Sequence, residues 1–146
     1  MLGSAWLRAT TACGVLHAWS PAAKLALLES IFGATCAALL AVAAATYTSS
    51  CYAGVFAAGM FAFSATVWKF STHFEVFALN NLFCALLLYL SIRYLLYGSS
   101  WVPYGGAVVC GLALTNQHTV VLLEAPLIVS VIAASGGALL HPKRLL

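Results

Sequence analysis

The strongest constraint on this chain is its succession of apolar runs that carry almost no charge. Residues 25–47, 52–70 and 76–97 form three such runs, and a longer stretch covers 104–140. A helical run of about 20 residues, rising 1.5 Å per residue, reaches across the ~30 Å hydrocarbon core of a bilayer. Of the 146 residues, 64% are hydrophobic and 6% are charged, against about 25% charged in a soluble domain. Too few polar groups exist to cover a surface facing water. Because lipid cannot satisfy exposed backbone groups, the expected fold is all-α: a polytopic transmembrane helix bundle of about 4–5 spans.

The ionic groups fall mostly between the runs. Arg8, Lys24, Lys69, Arg93, Lys143 and Arg144 stand against Glu29, Glu75 and Glu124, a placement that suits lipid, where a central charge costs about 2.5 kcal/mol or more. Thr48, Ser49 and Ser50 break the first run from the second. Lys69, Ser71, Thr72, His73 and Glu75 make the main polar turn. Tyr89, Tyr94 and Tyr97, with Arg93 among them, read as an interfacial aromatic belt holding a snorkelling cation, and Gly98, Ser99, Ser100 and Pro103 end that segment. The stretch 104–140 is too long for one perpendicular helix and is expected to divide near 117–124. The chain thus reads as an N-terminal polar or amphipathic segment (1–24), a transmembrane helical domain (25–140) and a polar tail (141–146). Glu29, five residues after Lys24, reads as an interfacial group, and Glu124, just ahead of Pro126, as a helix-end carboxylate near the interface, with a proton relay or coordinating group as its alternative. No compact apolar stretch with a small-residue cleavage site precedes Lys24, so membrane entry is expected to rely on the spans themselves.

Several function classes drop out. The net charge of +3 is spread thinly, with no basic run or aromatic interleaving to follow a phosphate backbone, so nucleic acid is not an expected partner. Cys13, Cys36, Cys51, Cys84 and Cys110 form no CxxC pair; they read as small apolar residues, and no metal site is expected. No Gly-rich phosphate loop, GxSxG elbow or HExxH motif occurs.

Two polar constellations remain. The first is Trp68, Lys69, His73, Glu75, Asn80 and Asn81. With a helix starting near His73, a semi-polar stripe runs from His73 and Asn80 through Cys84 and Leu87 to Ser91. These residues either stitch helices together, with Lys69 neutralising Glu75, or line a wet pocket where Glu75 and His73 polarise a substrate. The second is Thr115, Asn116, Gln117, His118 and Thr119, side by side in an apolar stretch. Burying them without partners would cost several kcal/mol, so they must meet helices, water or ligand. Residue types alone leave an enzyme, a small transporter or channel, and a non-catalytic membrane scaffold all open.

The string Phe63-Ser64-Ala65-Thr66-Val67-Trp68, then Glu75-Val76-Phe77-Ala78-Leu79-Asn80-Asn81-Leu82-Phe83, resembles the transmembrane protein 260 family of protein O-mannosyltransferases and its bacterial relatives. Cys110-Gly111-Leu112-Ala113-Leu114-Thr115-Asn116-Gln117-His118-Thr119 resembles a later motif of that family, in the right order. The stretch from Ala22 through Glu29-Ser30-Ile31-Phe32-Gly33-Ala34 is similar to its preceding helix. The resemblance implies part of a GT-C type membrane domain in the endoplasmic reticulum, its active site facing the lumen. It implies transfer of mannose from a lipid-linked donor, dolichyl phosphate mannose, to Ser or Thr of receptor ectodomains, with no resident cofactor. Glu75, Asn80, Asn81, Asn116, Gln117 and His118 match the family's motifs and are the expected cavity residues, with Trp68 and His73 in support.

One departure stands beside these matches. The family's catalytic acid is expected on an Asp-Ser-Gly-Glu motif in the first luminal loop, followed by a His-Pro-Pro-Gly-Tyr-Pro stretch. This sequence has no aspartate, and Val15-Leu16-His17-Ala18-Trp19-Ser20-Pro21 only faintly resembles the second motif. The chain is therefore expected to be an internal or truncated piece of the membrane domain, inactive alone. The family also places the Glu75 turn in the lumen. A lysine and arginine count with four crossings favours the cytosol, and with five crossings it favours neither side.

Overall fold

The computed structural model describes residues 2–14, 18–72 and 76–136, and nearly all of them are helical. In chain order the elements are α1 (Leu2–Ala12), α2 (Pro21–Thr48), α3 (Cys51–Ala62), α4 (Ala65–Thr72), α5 (Val76–Tyr97), α6 (Val102–Asn116), a 3-10 turn (His118–Val120) and α7 (Val121–Ala134). The described part is all-α, as its composition requires. The tail 141–146 lies outside the described residues.

Local chemistry explains where α2 starts and stops. Ser20 Oγ accepts the Ala23 N–H at 3.2 Å, and Pro21 occupies the first turn, where its missing N–H has no intrahelical partner to lose. The helix therefore takes in Pro21 and Lys24, four residues ahead of the apolar run. At its far end Ser49 turns left-handed (φ 54°), and the N–H groups of Ser49 and Ser50 both reach the Ala45 carbonyl, a common helix termination. The chain then folds back as α3. A Cβ on Gly54 would meet the Ala41 carbonyl oxygen at 2.6 Å and the Ala45 Cβ at 3.0 Å, so the two backbones approach through small residues, as packed membrane helices do.

Helices α2 and α5 form the centre. They have 28 and 22 residues and are the two, among the described residues, long and apolar enough to cross a membrane. Only 17% and 28% of their most apolar windows are buried within the protein, unlike the core helix of a soluble domain. Most of their apolar surface is left for a non-aqueous environment. α1 leans on the start of α2, where the Trp6 indole N–H donates to the Lys24 carbonyl at 2.8 Å. The Cys36 thiol links α2 to α5 by donating to the Asn81 carbonyl at 3.3 Å.

Helix α5 coincides with the predicted 76–97 segment and closes on Gly98 (φ 62°), whose N–H returns to Tyr94. The run 52–70 does not form one helix. Phe63 leaves helical geometry after α3, and the Ser64 carbonyl opens α4 by accepting from Trp68. A break marked by a single serine leaves the hydropathy of the run intact, so the apolar pattern conceals it. The last stretch divides at Gln117, at the near edge of the predicted interval. α3, α6 and the turn with α7 are shorter apolar helices.

Candidate functional site

The hinge between α6 and α7 is built from the second polar constellation. Gln117 adopts an extended conformation (φ −153°, ψ 122°), and His118–Val120 forms the 3-10 turn that starts the return leg. Asn116, the last residue of α6, donates from Nδ2 to the Val76 carbonyl at 3.2 Å. That bond satisfies a carbonyl at the start of α5 and ties the hinge to the end of the bundle where the first constellation's helix begins. Gln117 is half-buried with Oε1 shielded and unpartnered, while His118 is exposed.

A second set of polar groups runs through the helix interfaces beyond this end. Asn80 Nδ2 approaches Cys84 Sγ at 3.8 Å along α5, and its Oδ1 is buried without a partner. Asn81 acts through its backbone, as acceptor for Cys36. From α7, Glu124 hydrogen-bonds the Cys110 thiol of α6 and lies within electrostatic reach of Cys84. Its residue is 2% exposed, and its Oε1 has no partner. Of the predicted stripe, Leu87 and Ser91 are buried and Asn80 and Cys84 half-buried, while His73 lies outside the described residues.

A cavity of about 450 Å³ opens between α5, α6 and α7, walled mainly by aliphatic side chains such as Leu87, Leu90, Leu114 and Leu127, with Glu124 among its few polar groups. None of the predicted site residues that are described lines it. Of those eight, His73 and Glu75 lie outside the described residues. Trp68 is exposed on α4; Asn80 and Asn81 sit on the first turns of α5, and Asn116, Gln117 and His118 at the hinge. The structure thus brings Asn116 to the start of α5 and leaves Trp68 on a separate helix. Among the described residues, no group of three His, Cys, Asp or Glu is placed to hold a metal ion.

Of the two motifs, the described contact is that of Asn116 with the start of α5. Residues 7–137 match the family profile described as the Protein O-mannosyl-transferase TMEM260 N-terminal domain. The chain belongs to this family. Its relatives include the mouse Protein O-mannosyl-transferase TMEM260, 42% identical over 107 residues, which cover 70% of this chain and 15% of the mouse protein. The Dictyostelium discoideum protein of the same description is 29% identical over 120 residues, 73% of this chain and 15% of that protein. The chain therefore spans about 15% of the length of these curated relatives. No solved structure matches it.

Within this TMEM260 N-terminal domain, the residue that sequence reading undervalued is Glu124. Read as a carboxylate near the interface, it is 2% exposed and turned toward α5 and α6. Glu29 corrects in the same direction, at 3% exposure within α2. Glu124 sits in the first turn of α7 and Glu29 in the third turn of α2, and neighbouring helices cover both. The available signal was their isolation in apolar runs, since an intramembrane carboxylate marks a functional position by default.

Proposed function

We propose that this chain forms part of a membrane glycosyltransferase of the GT-C type in the endoplasmic reticulum, serving transfer of mannose from dolichyl phosphate mannose to Ser or Thr of receptor ectodomains. The family membership supports the reaction class. The observation that carries the site is the Asn116 to Val76 bond, which holds the hinge motif against the helix that follows Glu75. In this reading Glu75, Asn80, Asn81, Asn116, Gln117 and His118 line or support a luminal donor and acceptor cavity, with Trp68 and His73 behind them. Amide donors such as those of Asn116 and Gln117 suit a departing lipid phosphate, and a general base takes the acceptor hydroxyl proton as the sugar inverts.

The absence of aspartate from the sequence leaves the family's acid–base residue to be supplied from elsewhere. Purified alone, with dolichyl phosphate mannose and a receptor-domain acceptor, the chain is expected to transfer little or no mannose; robust transfer refutes that part. In the full-length mouse relative, alanine at the positions aligned with Asn116 and Gln117 is expected to lower kcat/KM by about tenfold or more, the scale of lost electrostatic stabilisation. Unchanged kcat/KM in both variants removes these residues from the site.

A further inference from the structure

Lys24 is a cation that the proposed transfer site leaves unused. It stands close to the start of α2 and is 8% exposed, although lysine is rarely buried unless it is paired. Among the described residues no side chain or carbonyl takes its ammonium, and the bonds it forms to Ser20 and Trp6 use its backbone. Glu29, the acid of the same helix, makes no ion pair with it and keeps Oε2 shielded and unpartnered. The Lys24 ammonium is not shielded in that way: solvent reaches it, so a buried stem carries a charge that a ligand can touch. Side chains on a helix lean toward its N-terminus, which aims Lys24 at the opening turn. There Ser20 Oγ takes the Ala23 N–H, Pro21 has no N–H, and the Ala22 N–H has no acceptor among the described residues. An ammonium, a free N–H and the positive end of the helix dipole thus converge on a place for one anion. Arg8, exposed on α1, which packs against the same part of α2, adds a second positive charge.

Depth in the membrane selects the anion. α2 has 28 residues, about 42 Å of helix, against a hydrocarbon core of about 30 Å. With the polar break after Thr48 on one edge of that core, Lys24 is about 36 Å away and stands about 6 Å past the other edge, among lipid headgroups. Trp6 and the exposed Trp19 lie at this same end, and tryptophan settles at headgroup depth. Phosphate is the anion that a membrane holds there, and anionic lipids attract juxtamembrane lysine and arginine. We propose that the start of α2 binds the headgroup phosphate of an anionic membrane lipid, held by Lys24 and the Ala22 N–H with Arg8 beside them. None of the residues assigned to mannose transfer belongs to this site, and its test does not depend on transfer.

The test uses the whole chain in phosphatidylcholine nanodiscs doped with phosphatidic acid that carries a diazirine beside its glycerol, photolysed and mapped by mass spectrometry. The label is expected to concentrate on α1 and residues 19–24, whereas phosphatidylcholine bearing the same diazirine should mark this segment no more than the other helix ends. Lys24→Met should lower the segment's labelling about tenfold, the scale of one charge-assisted hydrogen bond, and Lys24→Arg should keep it. Because Lys24→Met alters a buried side chain, thermal unfolding gives a second arm. Phosphatidic acid should raise the melting temperature of the unaltered chain and of Lys24→Arg, and leave that of Lys24→Met unchanged. Inorganic phosphate, added to phosphatidylcholine nanodiscs, should raise neither, and it should not displace the label. Equal labelling of the segment by the two lipids, full labelling of Lys24→Met, a melting temperature that phosphatidic acid raises equally in all three chains, or displacement by inorganic phosphate overturns the proposal.

Discussion

Ser49 is the residue at which backbone strain can be read most directly. It holds φ 54° without being glycine, a conformation that costs an ordinary side chain about 1 kcal/mol or more. Ser49→Gly is therefore expected to raise stability by about 0.5–1 kcal/mol, and Ser49→Val to lower it by at least as much, checked by thermal unfolding in detergent. Glu29 poses the opposite case. Its Oε2 is buried without a partner, and replacing an unpaired buried carboxyl group by an apolar side chain of similar length removes a desolvation penalty of about 1–3 kcal/mol. Glu29→Met should raise the melting temperature; a fall would mean that the carboxyl group makes a bond the protein needs. Asn80 and Asn81 show what a sequence pair conceals. Neighbours on a helix point about 100° apart, so Asn80 reaches Cys84 with its side chain while Asn81 contributes its carbonyl to Cys36. Both matched a motif, and the stripe through Cys84 singled out Asn80, whereas the part played by the Asn81 carbonyl is invisible in residue types.

At the scale of elements, the α2–α3 hairpin depends on one close approach. The Ala41 carbonyl that a Gly54 side chain would strike belongs to the backbone of α2, so the clash is relieved only by separating the helices. Gly54→Leu should cost about 1–3 kcal/mol by overpacking, seen as loss of thermal stability, whereas Gly59→Ala, with open space around its Cβ, should be neutral or slightly stabilising. The same scale shows which breaks the sequence discloses. The hinge was legible because five adjacent polar side chains cannot continue a helix through lipid without partners. The end of α5 was legible through its tyrosines and Gly98. The break at Phe63 and Ser64 was not, because local backbone geometry interrupts the helix without interrupting its hydrophobicity. The burial of Glu124 could be read from its isolation in an apolar helix, but the neighbour it meets could not.

For the whole molecule, the arrangement of α5, α6 and α7 makes a statement about sidedness. α5 has 22 residues, about 33 Å of helix at 1.5 Å per residue, enough to cross the core. α6 has 15, about 22 Å, which reaches part of that distance when upright. The Asn116 bond aligns the end of α6 with the start of α5, and the cavity places Val131 and Ile132 of α7 with Val102 and Tyr94, so α7 returns along α6. The hinge and the residues 98–101 therefore lie at opposite ends of α5. In microsomes, with exposed Cys13 and Cys51 changed to Ser, Thr119→Cys should react with an impermeant maleimide only after the lumen is opened. Ser100→Cys should react from the cytosol. Thr119→Cys labelled in sealed microsomes would put the hinge on the cytosolic side and remove the proposed luminal cavity. Both cysteines reacting from one side would mean that α5 does not cross, which its length, its apolar exposed faces and its capped end together argue against.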